Sequence, residues 1–129
     1  MSVGRHAAEF TFVGPEVARC DVMVGLARPG INVHEPKAHR SELFWGLSIA
    51  WGTLVHGTGR ADNWAGRQEF GAGDIIVLLL DCDTGTLTDN KHGVRLGVAL
   101  TGLTGNFSWA AAMAGSHQIT IAEADPEPF

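Results

Sequence analysis

The chain has 129 residues, so one domain is expected, long enough to bury a core without metal or disulfide staples. Hydrophobic residues make up 45% and charged residues 18%, with 17 Gly and 5 Pro, which excludes a collagen-like or disordered chain. Lys+Arg 9 against Asp+Glu 14 leave a net charge of −5, and without a basic cluster to displace counterions nucleic acid is not an expected partner.

From the N-terminus, Met1-Ser2-Val3-Gly4-Arg5-His6 lacks the basic-then-apolar layout of a signal peptide. Ala8 to Val13 alternates as a strand, with Ala8, Phe10 and Phe12 on one face and Glu9 and Thr11 on the other. Gly14-Pro15 stops it. Val22 to Ala27 is a second strand, halted by Pro29-Gly30. Glu35-Pro36-Lys37 leading into Ala38 to Phe44 predicts at most a short helical turn, with Pro near its first position. Leu43 to Leu54 holds a third strand or two. Gly71-Ala72-Gly73-Asp74 turns the chain into Ile75 to Leu80, a run apolar on both faces and therefore expected as a strand sandwiched in the core. Asp83-Thr84-Gly85 is a tight turn, and Thr86 to Thr88 begins the next strand. Asn90-Lys91-His92-Gly93 reads as a hairpin tip, with Gly supplying a positive φ, before Arg95 to Leu100 returns. After a loop over Thr101 to Asn106 come strands at Trp109 to Ala114 and Gln118 to Ala122. The acidic, Pro-broken stretch Glu123 to Phe129 is expected to fray. Turns recurring at about 8–12 residues mark an all-β sandwich. The expectation is one β-sandwich domain over residues 1–122 and an acidic tail over 123–129.

The order of these segments resembles a SPRY domain. Gly4-Arg5-His6-Ala7-Ala8-Glu9-Phe10 resembles the family's opening, and Val22-Met23-Val24-Gly25-Leu26-Ala27 the strand that follows. Gly73 to Asp81, Asp83-Thr84-Gly85-Thr86-Leu87 and Gly93 with Leu96-Gly97-Val98-Ala99 are similar to its next three segments. Ala111-Ala112-Met113-Ala114-Gly115 with Gln118-Ile119-Thr120-Ile121 resembles its close. Trp45-Gly46 with Leu54-Val55-His56 looks most like the SPRY domains of SOCS-box and F-box substrate receptors. The resemblance implies a bent antiparallel β-sandwich of the concanavalin-type jelly roll, no catalysis, and loops at one end that grip a protein or peptide partner. Where such a receptor pocket would carry Tyr and Leu, this chain has His34 and Lys37, so the receptors' peptide specificity does not carry over.

The same surface follows from the residues. Binding side chains concentrate on loops held by a rigid scaffold. The 14-residue segment Pro29 to Glu42 is longer than a plain connection, and the connection from His56 to Gly73 carries Arg60, Asn63, Trp64 and Arg67. Trp and Arg are the commonest interface anchors. The candidate partner-binding residues are therefore Arg28, His34, Trp64, Met113, Ala114 and Gly115. The plainer alternatives are that Trp64 plugs the end of the sandwich and that Met113-Ala114-Gly115 is a hairpin connection.

Signals for chemistry are weaker. Asp83-Thr84-Gly85 after an apolar strand suggests a retropepsin-like homodimeric aspartic protease, in which two carboxylates share a proton. A turn asks for the same residues, and Asp81 with Cys82 stand where that family packs apolar side chains. His34, Glu35 and His39 lack the helical spacing of a zinc site, which Pro36 would break. A calcium loop starting at Asp81 would need Gly at Thr86 and Glu at His92. Ser41, Ser48, Ser108 and Ser116 lie in no nucleophile elbow. No cofactor or metal is expected. Cys20 and Cys82 can pair in a secreted protein, but read better as small core residues in a reducing compartment. The longest apolar run, Ile75 to Leu80, is far short of the roughly 20 residues that span a bilayer, so no membrane partner and a cytoplasmic location are expected. Expected oligomeric states are a monomer or weak dimer. A third reading, a structural subunit that self-associates, rests on an open sheet edge.

Overall fold

Period-two alternation puts Ala8, Phe10 and Phe12 on one face of a strand, and all three are buried in the structure. The structure is a computed structural model that describes residues 1–13, 22–32, 34, 42–56, 61–71, 73–113 and 118–126. Its elements are β1 (Arg5–Val13), β2 (Val22–Ala27), β3 (Phe44–Ser48), β4 (Leu54–His56), β5 (Ala61–Asp62), β6 (Ile75–Asp81), β7 (Thr86–Lys91), β8 (Val94–Leu100), β9 (Ser108–Met113) and β10 (Gln118–Ala124). They form two antiparallel five-stranded sheets, ordered β10-β1-β6-β7-β8 and β5-β4-β3-β2-β9. The expected all-β sandwich is the observed one. No described helix is long and apolar enough to cross a membrane.

The core lies between the sheets. One sheet contributes Phe10, Phe12, Ile76, Leu78, Leu80 and Leu87, and the other Val22, Val24, Leu26 and Leu47. A smaller cluster of Met23, Ala27, Phe44 and Val55 packs on the opposite face of the second sheet. That follows from the strand pleat, because successive residues of β2 point to opposite faces.

Several expectations need correction. β6 is not covered on both faces: Ile76, Leu78 and Leu80 are buried, whereas Ile75 is 37% exposed. On that outer face Leu79 falls to 6% exposure because it sits in a central strand between Ala7 of β1 and Thr88 of β7. The sandwich extends past residue 122, since β10 continues to Ala124, with Glu123 opposite Ala8 and Ala124 opposite Ala7. Asn90 and Lys91 belong to β7, and the hairpin tip is His92-Gly93 alone. Both tip residues have positive φ, +51° and +79°, as a two-residue turn matching the strand twist requires. At the other end of β7, Gly85 has φ +70°, and a Cβ there would lie 2.6 Å from the Leu103 carbonyl oxygen. Of the helical turn expected over Ala38 to Phe44, residues 38–41 lie outside the described residues and Phe44 instead opens β3; the tail at 127–129 and Cys20 also lie outside them. Cys82 is a free, half-buried thiol. Burial pushes it up, with Asp83 and Asp81 adding to the effect, so it is held in the unreactive thiol form.

Candidate functional site

Antiparallel pairing gathers distant segments at one end of the sandwich. Leu26 of β2 lies opposite Trp45 of β3 and Trp109 of β9, and Trp45 lies opposite His56 of β4. Two residues beyond Leu26 the chain leaves the sheet at Arg28, whose backbone N–H donates to the Leu43 carbonyl at 2.8 Å. The Phe107 N–H donates to the Met1 carbonyl at 2.9 Å, Cys82 N–H to Gly4 at 2.8 Å and Leu103 N–H to Gly85 at 3.0 Å. This end is therefore tied together from both sheets.

The Arg28 side chain lies on a seat of aromatic rings. Its guanidinium carbon is 5.0 Å from the Trp45 ring centroid and 4.5 Å from that of Phe107. Trp45 meets Phe107 edge-on at 5.6 Å and 85°, and stacks on His56 at 4.3 Å and 12°. His56 is fixed by donating from Nδ1 to the Phe44 carbonyl at 2.9 Å. Cation–π contacts hold a guanidinium without consuming its N–H donors. No hydrogen bond from those donors joins the described residues.

The other candidate residues lie elsewhere. His34 is exposed on the loop that follows Arg28, and its N–H donates to Asn32 Oδ1 at 3.1 Å, the local bonding typical of an Asx turn. Met113 lies opposite Val22 at the far end of β2 and is 51% exposed. From Val22 to Arg28 the strand spans roughly 20 Å, so Arg28 and Met113 are at opposite ends and share no pocket. Ala114 and Gly115 lie outside the described residues.

Trp64 occupies a third place, the flank between β5 and β8. Its indole N–H donates to the Gly52 carbonyl at 2.8 Å, and its ring packs against the core. The ring also lies 4.0 Å from where a Cβ on Gly97 would sit. These are the contacts of a plug. Trp64→Ala is expected to lower unfolding stability by about 2 kcal/mol, read by urea denaturation. Unchanged stability with lost partner binding would instead make Trp64 an anchor.

Asp83 is exposed in the turn between β6 and β7. Asp81 Oδ1 accepts the N–H groups of Asp83 at 3.0 Å and Thr84 at 3.1 Å, which is the turn chemistry expected of these residues. A separate polar cluster pins the other end. Asp74 accepts from Gly71 N–H at 2.7 Å and from His92 Nε2 at 2.7 Å, with Lys91 Nζ 3.7 Å away. Burial pushes the Asp74 carboxyl up, but the Gly71 bond, His92 and Lys91 outweigh it and hold it below the usual value. No group of three metal-ligating side chains occurs among the described residues.

Sequence reasoning selected Arg28 but missed its seat. Trp45 and His56 entered it only through the resemblance of their segments, and Phe107 did not enter it, since the signal that unites the three is how distant strands pair.

No family model matches the chain. Among curated proteins it is 35% identical over 109 residues to a SPRY domain-containing SOCS box protein 3 of Xenopus laevis, covering 80% of this chain and 29% of that protein. It is 25% identical over 125 residues to an F-box/SPRY domain-containing protein 1 of Drosophila mojavensis, covering 92% and 50% respectively. Among solved structures, the SPRY domain of human HERC1 superposes with a TM-score of 0.75 at 18% identity, covering 95% of this chain and 77% of that one. The chain belongs to the SPRY domain family. A TRIM65 PSpry domain shares the fold as well, with a TM-score of 0.66 at 17% identity, over 95% of this chain and 66% of that one. This SPRY domain spans at most half the length of the two curated relatives named. The functional class that goes with the family is a protein-interaction module.

Proposed function

We propose that this SPRY domain is a non-enzymatic module that binds a peptide or surface loop of a partner protein at the Arg28 end of the sandwich. The observation that carries the reading is a guanidinium seated on Trp45 and Phe107 whose N–H donors make no hydrogen bond to a described residue. A partner carboxylate or pair of main-chain carbonyls would accept from that fork in charge-assisted bonds. The Trp45 and Phe107 rings would exclude water around it, as the surround of an interface anchor does. His34, on the exposed loop leading away from Arg28, supplies a second polar contact. Met113 offers a separate apolar contact at the far end of β2, and Ala114 and Gly115 remain candidates from the sequence.

Selection of a phage-displayed random peptide library on the immobilised domain tests this. Enriched peptides are expected to carry Asp, Glu or a free C-terminal carboxylate. Arg28→Ala is expected to weaken them by at least about tenfold, the loss of one or two charged hydrogen bonds, and Arg28→Lys by less. Met113→Ala should leave these peptides unaffected. Peptides that bind Arg28→Ala at full affinity would defeat the reading.

A further inference from the structure

The loop from Thr101 to Phe107 joins β8 to β9 and is tied down on both sides of its tip. Leu103 and Phe107 are buried in the core, and their N–H groups donate to the carbonyls of Gly85 and Met1 at 3.0 and 2.9 Å. Between them Thr104, Gly105 and Asn106 are exposed. Backbone held in this way cannot draw back from whatever lies against the tip.

What lies against it is Arg28. A Cβ at position 105 would sit 2.5 Å from Arg28 Nη1 and 3.7 Å from the guanidinium carbon, and no other described atom outside the adjacent residues comes within 4 Å of it. The first distance is well inside the roughly 3.5–4.0 Å of favourable contact, so one partner would have to move. The loop is held, whereas the guanidinium is the free end of a flexible side chain. A methyl group at 105 therefore pushes the guanidinium off Trp45 and Phe107 and leaves the fold in place. Gly105 also has φ +96°, a conformation that itself favours glycine. Gly102 on the same loop separates the two demands, since it has φ +70° with nothing within 4 Å of its absent Cβ.

We propose that Gly105 is a positioning residue of the Arg28 site: its bare backbone is the third wall of the seat, against which the guanidinium is held on the Trp45 and Phe107 rings. Two rings and a backbone wall fix the direction of the N–H fork before a partner arrives, so binding does not have to order a long side chain. The part this plays in recognition rests on the peptide-binding reading above; the placement of Arg28 by Gly105 does not.

Three measurements test it. Protons of the Arg28 side chain held over two ring faces resonate upfield of their free positions, and in Gly105→Ala the Arg28 δ-methylene and Nε–H signals are expected to return toward the free values. Gly102→Ala, which carries backbone strain without the contact, should leave them in place. In urea denaturation, Gly105→Ala should reduce the folding constant about threefold more in the wild type than in an Arg28→Ala background, where no cation–π contact remains to be lost and the backbone strain cancels. Peptides selected on the wild type should bind Gly105→Ala about tenfold more weakly, and the double variant no worse than Arg28→Ala alone. Arg28 signals that keep their wild-type positions in Gly105→Ala, signals moved equally by Gly102→Ala, or equal urea costs in the two backgrounds would overturn the proposal. Displaced Arg28 signals with full peptide affinity would uphold it and defeat the peptide-binding reading instead.

Discussion

Replacing Asp89 with valine is expected to stabilise the domain by about 3 kcal/mol at pH 8. Asp89 lies on β7 opposite Leu78 of β6, on the same face as Leu87, and is 0% exposed. Neither carboxylate oxygen has a partner in hydrogen-bonding geometry among the described residues. Burial raises its carboxyl to about 7, with the neighbouring Asn90 N–H and the Lys91 charge offsetting only part of that rise. The folded state therefore holds a proton that the unfolded chain releases near its ordinary value of 3.8. Where the folded state binds more protons, stability falls as pH rises. The decline should run from about pH 4 to about pH 7 and then level off, a total of about 4 kcal/mol. Valine removes the buried charge and suits a strand, so the variant should lose this decline as well as gain stability. Asp89→Asn should also flatten the profile, with a smaller gain, because its amide remains buried. Urea denaturation of the three proteins from pH 4 to 8 measures both effects. A wild-type profile flat over that range, or a valine variant less stable than wild type at pH 8, would refute the assignment.

Trp45→Leu should cost about 2–3 kcal/mol of stability and also abolish the binding attributed to Arg28. The leucine still packs toward Leu26, but it removes the ring that stacks on His56, meets Phe107 and seats the guanidinium. If the rings act by holding Arg28 in place, Trp45→Leu and Arg28→Ala are non-additive in peptide affinity, and the double variant binds no worse than the weaker single one. Additive losses, or full affinity in a folded Trp45→Leu protein, would mean that the rings serve only the core. Calorimetric titration of selected peptides into the three variants, at a temperature where each is folded by circular dichroism, distinguishes these outcomes.

Much of the strand layout is legible locally because it depends on neighbours a few positions apart. Val22 to Ala27 reads as β2 to the residue, since an apolar run there ends at Pro29-Gly30. The start of β1 does not read so clearly. Arg5 and His6 break the alternation, yet both lie in the strand because β6 offers them backbone partners at Asp81 and Leu80. β4 and β5, three and two residues long, have too little sequence for any periodicity and exist through pairing alone. Asp89 was within reach: it shares a face with Leu87 by the two-residue period, and a carboxylate in that row is the anomaly.

The amino-acid order by itself determined the all-β class, most strand positions and Arg28 as a candidate, because side-chain alternation and turn chemistry act over two to four residues. Only the tertiary structure decided which candidates meet. Antiparallel direction carries Met113 to the opposite end from Arg28, and register alone brings Trp45, His56 and Phe107, up to 79 positions away, around the same guanidinium. Such pairings depend on how whole strands pack across the core, and no short window of residues contains that energy.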